Sequence, residues 1–186
     1  MCRRPLENLM SLAVLVCLVA HPGVASGQAR GRGTPIPPTP AKARLVEATA
    51  AAKNWKADAR LLQVAARAVG AEGLHVAWDY GFYSPAAKNC LVVNVVPGMA
   101  PNNRESGGAA CGGPELKEFM DSVQALKIAR SNGITSATVT MFATVSPTRQ
   151  GERAVWTVMD GSGMKPGEVM LDIDAVTGAI VGKRTQ

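Results

Sequence analysis

The chain has 186 residues, 47% of them hydrophobic and 18% charged, which is enough apolar material for a packed core and too little charge for wholesale disorder. This length predicts one domain or two small ones and excludes a large multidomain enzyme. The net charge of +6 is uneven, because residues 1–44 carry six Lys and Arg against one acid and the rest carries fourteen against thirteen. A nucleic-acid binder needs cations clustered on its folded surface, so we expect no DNA or RNA partner.

Residues 1–27 have the pattern of a secretory signal peptide. Arg3 and Arg4 precede the apolar run Ser11–Ala20, and the small residues of Val24–Gly27 suit a signal peptidase. A membrane anchor is the competing interpretation, but a spanning helix needs about 20 apolar residues and Pro22 interrupts this run well before that. We therefore expect a secreted or periplasmic protein with no integral membrane span after signal cleavage.

A basic, Pro-rich linker follows at residues 28–44. It combines four prolines with Arg and Lys, a composition typical of an extended, solvated spacer. Its charge would also allow it to lie along an acidic surface of the cell envelope.

Export leaves two cysteines, Cys90 and Cys111, and one histidine, His75, in the mature chain. An even pair of cysteines in an oxidising compartment predicts a disulfide, with two free thiols or metal ligands as the alternatives. A closed zinc site needs four Cys or His ligands and a catalytic one usually three. We therefore expect neither a metal nor a cofactor.

The remaining chain predicts helix, strands, helix and strands, in that order. The helical stretches are Ala41–Val69, as one long helix or two abutting ones, and Pro114–Asn132. The strands are Leu74–Tyr83, Cys90–Val96, Thr135–Val145, Arg153–Met159, Glu168–Asp174 and Ala179–Lys183. We group these elements into a first unit at 45–98 and a second at 114–186, joined by a Gly-rich loop at 99–113.

The two units share spacings at an offset of about 62 residues. Asp58 precedes Gly70 by twelve residues, as Asp121 precedes Gly133, and a Ser-Pro pair ends the strand after each glycine. Coincidence among common turn residues is the alternative. If the spacing is real, the fold class is α+β, with helices packed on an antiparallel sheet in a two-fold internal repeat.

The C-terminal hairpin carries the most specific motif. Asp174 can accept backbone N–H bonds of the turn, Thr177 lies within it, and Gly178 can take a positive φ. A calcium loop would need about six oxygen ligands, which Asp172 and Asp174 beside apolar neighbours do not supply. These residues are therefore interpreted as turn residues.

This hairpin, with the preceding helix and strand, resembles the PepSY domain, a module of exported bacterial proteins. The resemblance covers Asp121–Lys183 and, more faintly, Asp58–Val96. The tandem arrangement is similar in outline to beta-lactamase inhibitory protein. The resemblance implies a cystatin-like fold and a protein that binds another protein, in some cases inhibiting a peptidase, and it provides no catalytic residue.

No catalytic residues are predicted. His75 is the only histidine left to act as a base, and no phosphate-binding loop is present. Strand alternation instead places Thr140, Phe142, Thr157, Met159 and Met170 on the sheet face opposite the helices, with Tyr83 as a second candidate for binding. The alternative is that a second sheet packs there and makes Phe142 and the methionines part of the core.

We therefore expect a non-catalytic module that binds a protein in the envelope or outside the cell, and that inhibits or modulates a peptidase or other envelope protein. The alternative function is a structural or stress-response protein of the envelope, tethered through the linker and without an enzyme target.

Overall fold

The computed structural model describes residues 35–107, 111–148, 151–161 and 166–185, all of which lie within the unit Pro35–Gln186. Along the chain the elements are α1 Leu45–Trp55, β1 Arg60–Val69, β2 Trp78–Ser84, β3 Asn89–Val95, β4 Asn102–Ser106, α2 Ser122–Ser131, β5 Val139–Thr148, β6 Gly151–Asp160, β7 Val169–Asp174 and β8 Ile180–Thr185. The predicted signal peptide and residues 28–34 of the predicted linker lie outside the described residues.

The eight strands described form one antiparallel sheet in the order β4-β3-β2-β1-β5-β6-β7-β8. The centre of the sheet is the pairing of β1 with β5, in which Ala65 lies opposite Phe142. Hydrogen-bonded ladders therefore join all the described strands into one sheet.

The predicted fold class is wrong. The described chain is mostly β, with a single eight-stranded sheet and two short helices, where we expected an α+β fold with helices packed on a sheet and an internal repeat. The main cause is the Ala-rich stretch Ala41–Val69, which has high helix propensity but forms helix only over α1 and then becomes β1. Leu61, Val64 and Val69 of β1 are buried in the sheet core, and this packing overrides local propensity.

The predicted Gly-rich loop contains strand β4. Asn102–Ser106 pairs with β3, and every residue of β4 is exposed. A fully polar edge strand has no apolar alternation, which explains why the sequence pattern did not indicate it. Residues 108–110 of this segment lie outside the described residues.

The second predicted helix is shorter than expected. It begins at Ser122, whose N–H donates to the side chain of Asp121. Residues 114–121 before it are not helical, and the N–H of Leu116 donates to the carbonyl of Leu61. Leu116 and Phe119 are still buried, so their apolar spacing marked burial correctly but not secondary structure.

The core lies on one face of the sheet and is closed by both helices. Ala48 and Ala52 of α1, with Ala125 and Leu126 of α2, belong to the same buried cluster as the inward side chains of the strands. At its centre Trp156 packs edge-on against Trp78 at 6.4 Å and against Phe119 at 6.1 Å between ring centroids. Such aromatic pairs add to the stabilisation from burial.

The end of the predicted linker is part of this core. Thr39 pairs with His75 in an antiparallel bridge, although His75 was predicted within a continuous strand. Ala41 is 0% exposed, and its N–H donates to Ser122 Oγ at 3.0 Å. Residues 35–38 are exposed, so the described part of the linker joins the folded body at Thr39.

Candidate binding surface

The open face is defined here as the side of β5–β7 that points away from the core. Five predicted site residues lie on it, namely Thr140, Phe142, Thr157, Met159 and Met170. In the strand register Thr140 is opposite Met159, Met159 is opposite Met170, and Phe142 is opposite Thr157. The sheet therefore brings these five residues together.

Alternation along the strands produces the open face. Met141, Trp156 and Leu171 are each next in sequence to an open-face residue and are all 0% exposed on the core side. Successive side chains of a strand point to opposite faces, so burying one set turns the other set outward. Phe142, Met159 and Met170 are consequently only partly buried.

The hydroxyls of Thr140 and Thr157 on the open face have hydrogen-bond partners within the protein. Thr157 Oγ1 donates to Asp172 Oδ1 at 2.7 Å, and Arg184 donates to Asp172 Oδ2 at 2.6 Å. Thr140 Oγ1 donates to the carbonyl of Gly161 at 3.0 Å. These polar groups hold neighbouring strands and loops, which leaves Phe142 and the methionines as the adaptable part of the surface.

Tyr83 lies apart from the open face. It pairs with Arg60 in the β1–β2 register, whereas Phe142 pairs with Ala65 of the same strand. Five positions along a strand correspond to about 16 Å. The Tyr83 ring lies 5.4 Å from the Arg60 guanidinium carbon and packs near Gly112, so it belongs to a separate cluster at one end of the sheet.

The predicted disulfide between Cys90 and Cys111 is present, with the two Cα atoms 5.8 Å apart. Cys90 lies opposite Tyr83 in β3, so the bond fixes the segment around Gly112 beside the Tyr83 ring. Disulfides form and persist mainly in oxidising compartments. The bond is therefore compatible with an exported or envelope protein.

Asp174, Thr177 and Gly178 lie in the turn between β7 and β8. Asp174 Oδ1 accepts the N–H groups of Val176 at 2.9 Å and Thr177 at 2.8 Å, and Gly178 has a φ of +80°. These bonds, with the one from Thr177 largest, lower the pKa of Asp174 by stabilising its charged form. The geometry is that of a carboxylate organising a turn.

His75 lies half-buried where the linker end meets β2. Its ring packs edge-on against Trp78 at 6.2 Å, and burial lowers its pKa. Among the residues the structure describes, no three His, Cys, Asp or Glu side chains cluster as a metal site would require. None of the described helices is both long and apolar enough to cross a membrane.

Sequence reasoning missed the role of Arg60. The Arg60 side chain donates to the carbonyl of Gly113 at 3.3 Å, a partner 53 residues away. This contact depends on the segment after Cys111 folding back beneath β1 and β2. No local pattern around Arg60 signals it.

Comparison with known proteins identifies a likeness in fold. No family model matches the chain, and no curated protein matches it significantly, so the PepSY resemblance has no support from family evidence. A solved structure described as a "putative lipoprotein" from Clostridium difficile 630 superposes with a TM-score of 0.51 at 10% identity. The match covers 76% of this chain and 91% of that one. At this identity the likeness shows the fold alone.

Proposed function

We propose that the chain is an exported, non-catalytic protein that binds another protein through the open face. The observation that carries the proposal is the group formed by Phe142, Met159 and Met170, which stay partly exposed on three adjacent strands while the core packs on the other side. Aromatic and Met side chains are enriched at interface cores. Met also adapts its shape readily to a partner.

The shape of the open face favours a macromolecule over a small ligand. Its apolar side chains are spread over β5, β6 and β7, which places them about 10 Å apart from first to last strand. Small-molecule sites are concave and enclose most of their ligand. A surface of this breadth suits a partner that also presents a broad surface.

Polar groups border the open face and are already paired. Asp172 is held by Thr157 and by Arg184 on one side, and Asp79 accepts from Asn94 at 2.7 Å on the other. An apolar centre with a polar rim is the usual anatomy of a protein interface. Because these carboxylates have partners within the fold, we infer a partner that buries the apolar centre and is not selected by charge alone.

Export is supported by the Cys90–Cys111 bond and by the lipoprotein description of the structural neighbour. The sequence pattern of residues 1–27 points the same way. The narrower proposal, that the partner is a peptidase or another envelope protein whose activity is modulated, rests on the PepSY resemblance.

The test uses the exported, oxidised chain as an affinity bait for envelope and secreted fractions. A captured protein is then purified and its Kd is measured. We expect the double variant Phe142→Thr/Met159→Thr to weaken that Kd by at least tenfold. The matched control is Val46→Thr/Val123→Thr, which changes two apolar residues of the helices that are 83% and 41% exposed.

Equal binding by the Phe142/Met159 double variant and the wild type would refute the proposal, provided that both remain folded. Loss of binding in the control pair alone would move the binding site to the helices. If the wild type inhibits a peptidase and the Phe142/Met159 double variant does not, the narrower proposal of peptidase modulation is established.

The second candidate function is tethering to the envelope through the linker. The attachment of Thr39 and Ala41 to the core favours it, because a firmly anchored linker transmits its position to the folded body. Deleting residues 28–38 removes most of the predicted linker and leaves the contacts of Thr39 and Ala41 in place. A tether predicts loss of envelope retention on deletion, whereas the open-face proposal predicts unchanged affinity for the purified partner.

A further inference from the structure

A second surface feature lies at the end of the sheet near Arg60. It is a cleft of about 730 Å³ whose charged lining comprises Arg60, Glu115, Lys117, Glu118 and Glu152. The apolar lining includes Val145, Ala154 and Val176. Its volume lies within the range of sites that hold small organic ligands, about 300–1,000 Å³.

The wall of the cleft is fixed by bonds to the sheet. Cys111 is covalently joined to β3, and two residues later the Gly113 carbonyl accepts from Arg60 at 3.3 Å. The N–H of Leu116 then donates to the Leu61 carbonyl at 2.8 Å. The segment that carries Glu115, Lys117 and Glu118 is therefore held in place against β1.

The fold holds the Arg60 side chain in place but uses few of its hydrogen-bond donors. Its guanidinium packs over the Tyr83 ring, and among the described residues its one hydrogen bond goes to Gly113. A guanidinium has five N–H donors in a planar fork that matches a carboxylate. Its Nε is buried and Nη2 donates to Gly113, so a carboxylate that reaches the guanidinium would pair with the N–H groups that remain.

The other charges of the cleft are also free to bind. Within the described ranges, Lys117, Glu118 and Glu152 form neither a side-chain hydrogen bond nor an ion pair, and all three are exposed. Both signs of charge therefore surround an apolar patch. A ligand with only one charge would meet repulsion from part of this lining, whereas a ligand with both charges can satisfy it.

We propose that this cleft binds a short zwitterionic peptide. The peptide carboxylate pairs with Arg60 and Lys117, its ammonium group pairs with Glu152, and an apolar side chain packs on Val145 and Val176. The open-face residues Phe142, Met159 and Met170 do not line the cleft, so this site is separate from the proposed protein-binding surface.

The test is isothermal titration of the oxidised exported chain with the tripeptide Ala-Leu-Ala. We expect saturable 1:1 binding that weakens at least tenfold when the peptide is N-acetylated and at least tenfold when it is C-amidated. Arg60→Met and Glu152→Gln should each weaken binding of the unblocked peptide about tenfold. Arg67→Met is the matched control, because Arg67 is an exposed arginine of the same strand that does not line the cleft.

Glu152→Gln keeps the proposal testable if Arg60→Met disturbs folding, because Glu152 is exposed and removing its charge changes no buried contact. Absence of saturation up to millimolar peptide would overturn the proposal. Equal affinity for the doubly blocked peptide would also overturn it, as would wild-type affinity in Glu152→Gln and Lys117→Gln together.

Discussion

The two faces of β5–β7 come from alternate residues of the same strands, yet one is sealed and the other is partly exposed, with Thr157 the buried member of the open face at 6% exposure. Met141 and Trp156 are 0% exposed, whereas Phe142 and Met159 are partly exposed. Residue type does not separate the two sets, because each contains a methionine and an aromatic residue. The difference follows from where the helices lie, since buried residues of both α1 and α2 join the core on one face.

The two faces also differ in how polar groups are used. On the core side, buried polar side chains serve the backbone, as when Ser122 Oγ accepts from Ala41 and donates to Gly73 at 2.7 Å. On the open face, Thr157 and Asp172 bond across neighbouring strands. The open face is therefore ordered by internal bonds before any partner arrives, which limits the entropy lost on binding.

The largest expected effect comes from comparing substitutions at Met141 in the core and at its neighbour Phe142 on the open face. Met141→Ala should lower the free energy of unfolding by about 2–5 kcal/mol, because it leaves a cavity in a sealed core. Phe142→Ala should cost about 1 kcal/mol, because its ring is already partly in water. Urea denaturation of the two oxidised variants gives both values.

Equal losses at the two positions would contradict the comparison, because they would mean that the open face is covered in the native protein. Val139→Ala provides a second core variant in the same strand, at a residue that is 0% exposed. Val139→Ala should lower the free energy of unfolding by an amount closer to that of Met141→Ala than to that of Phe142→Ala.

A second test removes the covalent bond at the end of the sheet. The double variant Cys90→Ser/Cys111→Ser should lower the free energy of unfolding by about 3 kcal/mol. The bond closes a loop that restricts the unfolded chain, and its removal gives the unfolded chain more conformations. The bonded residues are 21 positions apart. Denaturation of the variant, beside wild type with and without reductant, measures the effect.

The reduced wild type and the double variant should agree. A double variant as stable as the oxidised wild type would show that the bond does not constrain this region. Open-face affinity for a partner should change little in either case, because Cys90 and Phe142 lie in separate parts of the sheet.

The smallest expected effect is a pH dependence of the free energy of unfolding that comes from His75. Burial lowers the pKa of His75, while a backbone hydrogen bond and the charge of Asp79 oppose that shift. The unfolded chain, with the ordinary pKa of 6.5, therefore takes up a proton at higher pH than the folded chain does. The free energy of unfolding should be highest above pH 6.5. It should fall as the pH drops through 6.5 towards the lowered pKa of His75 in the folded chain.

Thermal unfolding between pH 8 and pH 5 measures this dependence, and His75→Gln should flatten it. The pKa of Asp174 is lowered from 3.8, so its stabilising contribution is lost only at still lower pH and does not overlap this window. A profile that keeps its slope in His75→Gln would assign the effect to another group.

Alternation identifies the inward residues of β5–β7. Val139, Met141, Trp156, Val158, Leu171 and Ile173 alternate with the open-face residues along these strands, and all are buried. The disulfide was also accessible from sequence, because removal of the predicted signal peptide leaves Cys90 and Cys111 as a single pair. Both predictions rest on local or compositional rules that need no knowledge of neighbouring strands.

The fold class and the site geometry were not accessible in this way. Strand β1 was read as helix because alanine propensity is local, whereas the pairing of β1 with β2 and β5 is not. Tyr83 was predicted as a second, separate binding candidate, and only the strand register shows that it lies beside Arg60. The cleft residues come from β1, the segment 113–118, the β5–β6 hairpin and the turn after β7, and no pattern in any one of them indicates the others.

The sequence by itself determined the inward and outward sets of β5–β7, the paired cysteines and the turn at Asp174. Only the tertiary structure decided that eight strands join into one sheet, that the helices close one face of it, and that Arg60 meets the segment after Cys111. The physical reason is that side-chain alternation and turn chemistry act over a few residues, whereas strand pairing and face coverage depend on contacts between distant parts of the chain.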